Sequence, residues 1–411
     1  MSRGFSRLLL PSGVDPSALP LLIARGMRAF ADGYMAVLLP AYLLGLGLST
    51  LEVGLIATAT MLGSAFATMA VGAWGYRFHS RRLLRSAALL MAATGLCFAG
   101  FSSFWPLMIV AFIGTLNPSS GDVSVFLPLE HASLAASGEG HARTVLFARY
   151  SVFGALCASL GALAAALPDW LVAHVGTGRL DALRLMFVVY GAVGVMVWLL
   201  YRQPAAAAGE MESDARPNAP LGPSRRIVVK LAALFSIDAF AGGLVVNALL
   251  SLWLMQRFAL SLSQTGVFFF FAGLLSATSQ LAAPFVARRI GLLNTMVFTH
   301  IPASICLILA AIAPTMPLAL ALLLVRSALS QMDVPTRTAY VMAVVTPAER
   351  PAASSFTAVP RSLAGALSPS LSGALFAAGF ISLPLIACGV LKIAYDLVLW
   401  RACRRDALDE R

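Results

Sequence analysis

The sequence predicts an all-α integral membrane protein made of two six-helix bundles related by a parallel pseudo-repeat. Three observations carry that prediction. Of the 411 residues, 59% are hydrophobic and 11% are charged, whereas soluble domains carry about 25% charged residues; the mean hydropathy is +0.85. The chain divides into about twelve apolar segments, each near or above the ~20 residues that a helix needs to cross a ~30 Å hydrocarbon core. Short motifs of the first half return in order in the second, at an offset of about 210 to 212 residues.

Residues 1–17, MSRGFSRLLLPSGVDPS, are expected to be a tail: their apolar run is three leucines long before Pro11, too short for the core of a signal peptide. Six predicted crossings follow, over 18–47, 50–75, 83–102, 104–131, 143–167 and 181–202. They read as helices because barrel strands would be shorter and would alternate in polarity. Residues 203–227 are polar and rich in Pro and Ala, the composition of a flexible linker. Six more crossings occupy 228–256, 264–287, 292–313, 316–345, 352–378 and 382–401, and 402–411 form a second tail. The predicted bundles are therefore 18–202 and 228–401.

RAFADG at 28–33 returns as DAFAGG at 238–243, LSTLEVG at 48–54 as LSLSQTG at 260–266, and GALCASLGAL at 154–163 as GALSPSLSGAL at 365–375 with one insertion. Six crossings, an even number, separate each pair, so the repeats run parallel about an axis along the membrane normal.

Charge gives the orientation. The tails, the loop GYRFHSRRLLR, the linker, the ARRIG loop and Arg350 hold about eighteen Lys and Arg, and the opposite loops about two. The positive-inside rule then places both termini in the cytoplasm of a multi-pass protein of the inner membrane. The same asymmetry explains the formal charge of +11; no basic patch is interleaved with aromatics, so nucleic acid is not an expected partner. Five scattered cysteines without a CxxC or a histidine at ligand spacing give no metal site and no disulfide framework. No cofactor is expected.

The loop Gly72-Ala-Trp-Gly-Tyr76-Arg77-Phe-His79-Ser80-Arg81-Arg82 resembles the Gly-x-x-x-Asp-Arg-x-Gly-Arg-Arg signature of the major facilitator superfamily. The twelve-helix plan, the parallel repeat and the central linker extend the resemblance over the whole chain. It implies a secondary transporter in which crossings 1, 4, 7 and 10 line the solute path, and a gating role for Gly72, Arg77 and Arg81. Tyr76 and His79 replace the usual Asp and second Gly. Arg288 and Arg289 in VARRIGLLN look like a degenerate second copy.

The same four crossings hold the intramembrane aspartates Asp32, Asp122, Asp238 and Asp333. Charges inside such segments face a bundle interior or a water-filled cavity. Arg28 and Asp32, and Asp333 and Arg337, are i,i+4 pairs, and on one continuous helix Arg326 would share the Asp333–Arg337 face. Thr115 and Ser119 stand beside Pro118, which with Gly121 weakens crossing 4; Pro335 is expected to loosen crossing 10. Lys392 and Asp396 are read as a structural i,i+4 pair and His300 as a packing histidine. Over the inner helices, crossings 5 and 11 included, six arginines (Arg25, Arg28, Arg149, Arg326, Arg337, Arg361) stand against four aspartates, a surplus that an anionic solute could complete.

The chain has no Gly-x-x-x-x-Gly-Lys-[Ser/Thr] phosphate loop, so uphill transport needs an ion gradient. The expected activity is proton-coupled export of small organic compounds, with Asp32 the first proton candidate and a monomer expected. Carriage or exchange of organic anions is the alternative, and a non-transporting receptor is the alternative of another class. No constellation points to an enzyme.

Overall fold

The computed structural model describes residues 10, 14–119, 124–135, 137, 140–202, 222–346 and 349–403. Among these residues every regular element is a helix. The chain falls into two compact units, the first comprising Met1–Asp214 with Leu260–Phe270, the second Ala215–Ala259 with Phe271–Arg411.

In the first unit, α1 spans Leu19–Gly45, α2 Thr50–Trp74, α3 Ser80–Gly100, α4 Phe104–Ile113, α5 Phe126–Ala135, α6 Gly140–Leu163, α7 Leu167–Val175 and α8 Arg179–Leu200. Helix α1 packs on α6, α3 on α8 and α2 on α4. The α1–α6 contact depends on missing side chains: a Cβ on Gly33 would run into the Ala158 carbonyl oxygen, and one on Gly161 into that of Phe30. Such small-residue contacts let backbones approach where lipid supplies no hydrophobic drive between helices.

In the second unit, α9 spans Arg225–Gly243, α10 Asn247–Phe258, α12 Leu292–Ile312, α13 Met316–Leu329, α14 Asp333–Val344, α15 Arg350–Ala377 and α16 Leu383–Cys403; α11, Leu262–Ile290, begins in the first unit and ends in the second. Here α9 packs on α15 and α12 on α16. A Cβ on Gly243 would strike Ser368 and the Gly365 carbonyl, so the repeated glycine motifs mark equivalent helix contacts in the two units.

The third repeated motif has an equally local cause. Ser49 accepts from the Glu52 amide while its own amide donates to Glu52 Oε2 at 2.7 Å. Ser261 and Gln264 do the same at 3.1 and 3.0 Å. Both are capping boxes, satisfying first-turn amides that have no partner within the helix. The residue two positions before each cap has a left-handed backbone, Gly47 at φ 86° and Ala259 at φ 53°.

Three expected crossings are broken. Crossing 4 is α4 and α5, separated at Gly114–Val125, the place where Pro118 was expected to weaken it; Gly121 and Asp122 lie outside the described residues. Crossing 7 is α9 and α10, broken at Leu244–Val246 just after Gly242 and Gly243, a break the sequence reading does not contain. Crossing 10 is α13 and α14, broken at Ser330–Met332. Pro335 therefore sits in the first turn of α14, where its missing amide costs nothing. The interruption puts Arg326 on α13 and Asp333 and Arg337 on α14, so the charged stripe expected on one continuous helix is divided between two helices. Residues 203–221 of the expected linker lie outside the described residues, and Arg225–Ile227 are already helical. Among the described residues nine helices, some running across these breaks, are long and apolar enough to cross a membrane.

Candidate functional site

In the first unit the site grows from α1. Most of this helix is buried, and Arg28 with it, 3% exposed. Its guanidinium pairs with Glu130 of α5 and lies over the Phe126 ring, 3.9 Å from the centroid. Glu130 is wholly buried and also accepts from Tyr150 of α6 at 2.5 Å and from Tyr201 at 2.6 Å. Arg85 of α3 holds the Tyr201 carbonyl at 3.1 Å, which fixes the last turn of α8 beside the carboxylate. Arg25 stacks on the other face of this cluster, 5.3 Å from the Tyr150 centroid. Asp32, half-buried, has Arg28 and Arg25 as its electrostatic neighbours.

Thr115 lies in the broken part of crossing 4, where Tyr190 donates to its carbonyl at 3.1 Å. With Ser64, Ser86, Gly114 and Ser124 it lines a mostly apolar cavity of about 190 Å³. Ser119 donates from both its amide and its hydroxyl to Asn117, at 3.1 and 2.7 Å, a local turn that shapes the break. Arg149 is half-buried on α6 next to Tyr150.

The second unit holds a larger network. Asp238 of α9, 3% exposed, accepts from Lys392 of α16 at 2.6 Å and from Arg337 of α14 at 3.3 Å. Arg337 also pairs with Asp333 one turn earlier, and Asp333, in the first turn of α14, benefits from the helix dipole. His300 of α12 places Nδ1 3.0 Å from Asp396 and Nε2 3.3 Å from Lys392. Lys392 and Asp396 thus bond to Asp238 and His300 in place of the expected pair with each other. The reason is burial: a charge sealed from water takes the partner with the best geometry, wherever the chain brings it from.

Two expected cavity cations make no ion pair among the described residues. Arg326, half-buried on α13, makes no ion pair among the described residues, and its ionisable neighbour is Cys388. Arg361 of α15 faces Arg337 first and Asp238 second, and its Nε has no hydrogen-bond partner among the described residues.

The loop candidates lie at helix ends. Gly72 and Arg77 are exposed at the end of α2 and in the turn after it, and Arg81 opens α3 half-buried. Arg288 and Arg289 are exposed in the last turn of α11, Arg288 folding back on the Pro284 carbonyl at 3.3 Å. Among the described residues no group of His, Cys, Asp and Glu could hold a metal.

A family model described as Major Facilitator Superfamily matches residues 21–332, three quarters of the chain and most of the helices just described. The chain belongs to the Major Facilitator Superfamily. As a member it is a membrane transporter and not an enzyme. Among curated proteins, the membrane protein YJR124C of Saccharomyces cerevisiae is 23% identical over 418 residues, covering 94% of this chain and 93% of that one. Two solved transporters share the superfamily fold. One is a bacterial homologue of the human lysosomal transporter Spinster, with a TM-score of 0.73 at 14% identity, covering 100% of this chain and 99% of the other. The second is the human organic anion transporter MFSD10 (TETRAN), with a TM-score of 0.64 at 18% identity, covering 93% and 98%.

Glu130 and His300 are the residues that sequence reasoning missed or undervalued. Each lies in an apolar segment with no Lys or Arg within four residues on either side. That is itself a signal, because an ionisable group in such a place must draw its partner from another helix.

Proposed function

We propose that this superfamily member is a proton-driven exporter of small organic compounds, an antiporter that works by alternating access in the inner membrane with both termini cytoplasmic. The observation that carries the reading is the Asp238 network: three carboxylates, a histidine, a lysine and an arginine joined inside helices of membrane length. Ionised groups there cost several kcal/mol or more and a passive scaffold gains little from them, since buried ion pairs rarely outdo apolar packing. Groups that exchange protons and partners during a cycle justify that cost. Asp32, half-buried between Arg28 and Arg25, is the corresponding carboxylate of the first unit. With no phosphate loop in the chain, a proton gradient is the energy source the residues support.

The test is transport of a compound library into proteoliposomes with and without an imposed pH gradient. Gradient-dependent movement of a solute out of the compartment that corresponds to the cytoplasm is expected; transport indifferent to pH would end the proton reading.

A second reading, carriage of organic anions, is favoured by Arg326 and Arg361, two cations that make no ion pair among the described residues. Guanidinium groups match carboxylate and phosphate geometry, and a solute of that class would supply the missing charge. The likeness in fold to a human organic anion transporter is in keeping with it.

A further inference from the structure

His300 is engaged on both sides of its ring and is 4% exposed. On one side Nδ1 lies 3.0 and 3.1 Å from the two Asp396 oxygens. On the other, Nε2 lies 3.3 Å from Lys392 Nζ and 3.9 Å from Asp238 Oδ1. An ammonium group can only donate, so Nε2 must present its lone pair to Lys392. The ring proton then sits on Nδ1 and is donated to Asp396, and the imidazole is neutral. Lys392 also donates to Asp238 Oδ1 at 2.6 Å. Nε2, Nζ and Oδ1 therefore form a triangle with one base, one donor and one acceptor.

A proton added to Nε2 cannot coexist with this arrangement. Two cationic donors would face each other at 3.3 Å with nothing between them. The new N–H has an acceptor at hand in Asp238 Oδ1, which must come closer by about 1 Å to reach the usual ~2.9 Å. Lys392 leaves with its three protons intact, and the charge on Asp396 is then matched by an imidazolium. We propose that His300 Nε2 is a proton-binding site of the carrier, loaded by displacement of Lys392, so that Asp238 exchanges a lysine partner for a histidine partner. Because Asp238 also holds Arg337, which holds Asp333, the exchange reaches α9, α12, α14 and α16 together.

The charged and titratable groups around the ring come from every neighbouring helix. Asp396, Lys392 and Tyr395 belong to α16, the Tyr395 ring standing edge-on at 6.4 Å, and Asp238 to α9; one step further out, Asp238 faces Arg337 of α14 and Arg361 of α15, and Lys392 faces Asp333 of α14 and Cys388 of α16. The carboxylates that meet the ring nitrogens are Asp396 and Asp238 and the cation that meets Nε2 is Lys392, so Lys392 decides whether Nε2 can take a proton. The role of this site in transport rests on the proton-driven reading above; its chemistry does not.

The experiment is a nitrogen-15 histidine titration of the full chain in lipid nanodiscs, between about pH 5 and 9, the range where histidine changes charge. The His300 signal is assigned by its loss in His300→Gln. The expected result is a neutral ring with the proton on Nδ1 at the alkaline end and a doubly protonated ring at the acid end. Lys392→Gln, whose amide oxygen can accept from Nε2–H, should raise the midpoint by at least about one pH unit, a tenfold gain in proton affinity. Lys392→Met, which keeps the stem and removes the charge, should do the same if the glutamine variant fails to fold. Asp396→Asn should lower the midpoint. A proton on Nε2 at the alkaline end, a ring that does not titrate in the parent, or a midpoint unmoved by either folded Lys392 variant overturns the site. Transport indifferent to a pH gradient in a protein whose His300 titrates as described would instead remove the proton-driven reading and leave the site standing.

Discussion

Replacing Glu130 by glutamine tests whether the first unit is held by its buried ion pair. Glu130 is wholly buried and takes three donors, Arg28, Tyr150 and Tyr201. Glutamine keeps the shape but offers one acceptor oxygen, and its amide group turns a donor toward one of the three. Arg28, 3% exposed, loses its counter-charge. Breaking a buried pair from one side costs about 3–5 kcal/mol, which in a unit of roughly 200 residues, at about 2–4 °C per kcal/mol, lowers the midpoint of thermal unfolding by roughly 6–20 °C. Tyr150→Phe removes one hydrogen bond to a charged group and should cost less, about 1.5–3 kcal/mol. The double variant Arg28→Met with Glu130→Leu removes both charges and should recover most of the loss, because an apolar pair of similar volume is often neutral. Unfolding of the purified protein in detergent, followed by scattering and intrinsic fluorescence, reads these three variants, and the single variants Arg28→Met and Glu130→Leu, against the parent. A shift under about 2 °C for Glu130→Gln, or a double variant as unstable as the two single losses added, would refute the reasoning.

Asp32→Asn should abolish gradient-driven accumulation and leave solute exchange measurable, since asparagine keeps the size but cannot titrate; full proton-driven activity in the variant removes Asp32 from the coupling path. Arg326→Lys and Arg326→Gln should both weaken transport of an anionic solute by about tenfold or more, Lys through lost bidentate geometry and Gln through lost charge as well; parent-like apparent affinity in both folded variants makes Arg326 structural. Glu349, between α14 and α15, is held below the ordinary carboxylate value of 4.5 by hydrogen bonds from Ser224, Thr346 and the Gly222 amide. A depressed folded value means that this contribution is fully present above that range and is lost only as pH falls through the lower, folded value. Hydrogen exchange at Gly222 should therefore keep the same protection factor from neutral pH down to the mid-fours, and Glu349→Gln should lower it at neutral pH; a loss of protection already near pH 6 contradicts the assignment. A cysteine at Ser213 should be labelled only from the cytoplasmic side, and labelling from outside would reverse the orientation.

The features legible in the sequence are those with local causes. The capping boxes at Ser49 and Ser261, and the glycines at the α1–α6 and α9–α15 contacts, are short-range devices. They appear as the very motifs that betray the repeat. Pro118 and its neighbours mark the break in crossing 4 because a missing amide and a local Asn117–Ser119 turn act within a few residues. Arg326 is the opposite case. Its relation to Asp333 was inferred by counting turns across Ser330–Met332, where α13 gives way to α14, and its ionisable neighbour is Cys388 of α16. Glu130 lies beyond another such break, so no helical count starting at Thr115 could reach it, and its three partners come from α1, α6 and the end of α8. Lys392 and Asp396 show that i,i+4 spacing permits a pair without enforcing one.

The repeat also explains why the two networks sit where they do. Arg28 and Asp238 occupy the same position in RAFADG and DAFAGG, 210 residues apart. Each pairs with a residue on the second half of a broken crossing, Arg28 with Glu130 on α5 and Asp238 with Arg337 on α14. The position is kept while the sign is reversed, so each unit needs a buried ion pair across this contact and is indifferent to its polarity. The reversal decides what surrounds the carboxylate. In the first unit Glu130 is completed by two tyrosine hydroxyls, neutral donors that titrate far above physiological pH. In the second, Asp238 is completed by Lys392, with the imidazole of His300 behind it, a base whose ordinary range is close to neutral. An arrangement of the first kind fastens helices at any physiological pH. One of the second kind has an imidazole within reach of its lysine, and this asymmetry between otherwise equivalent positions is why the proton exchange proposed above is assigned to α9, α12 and α16.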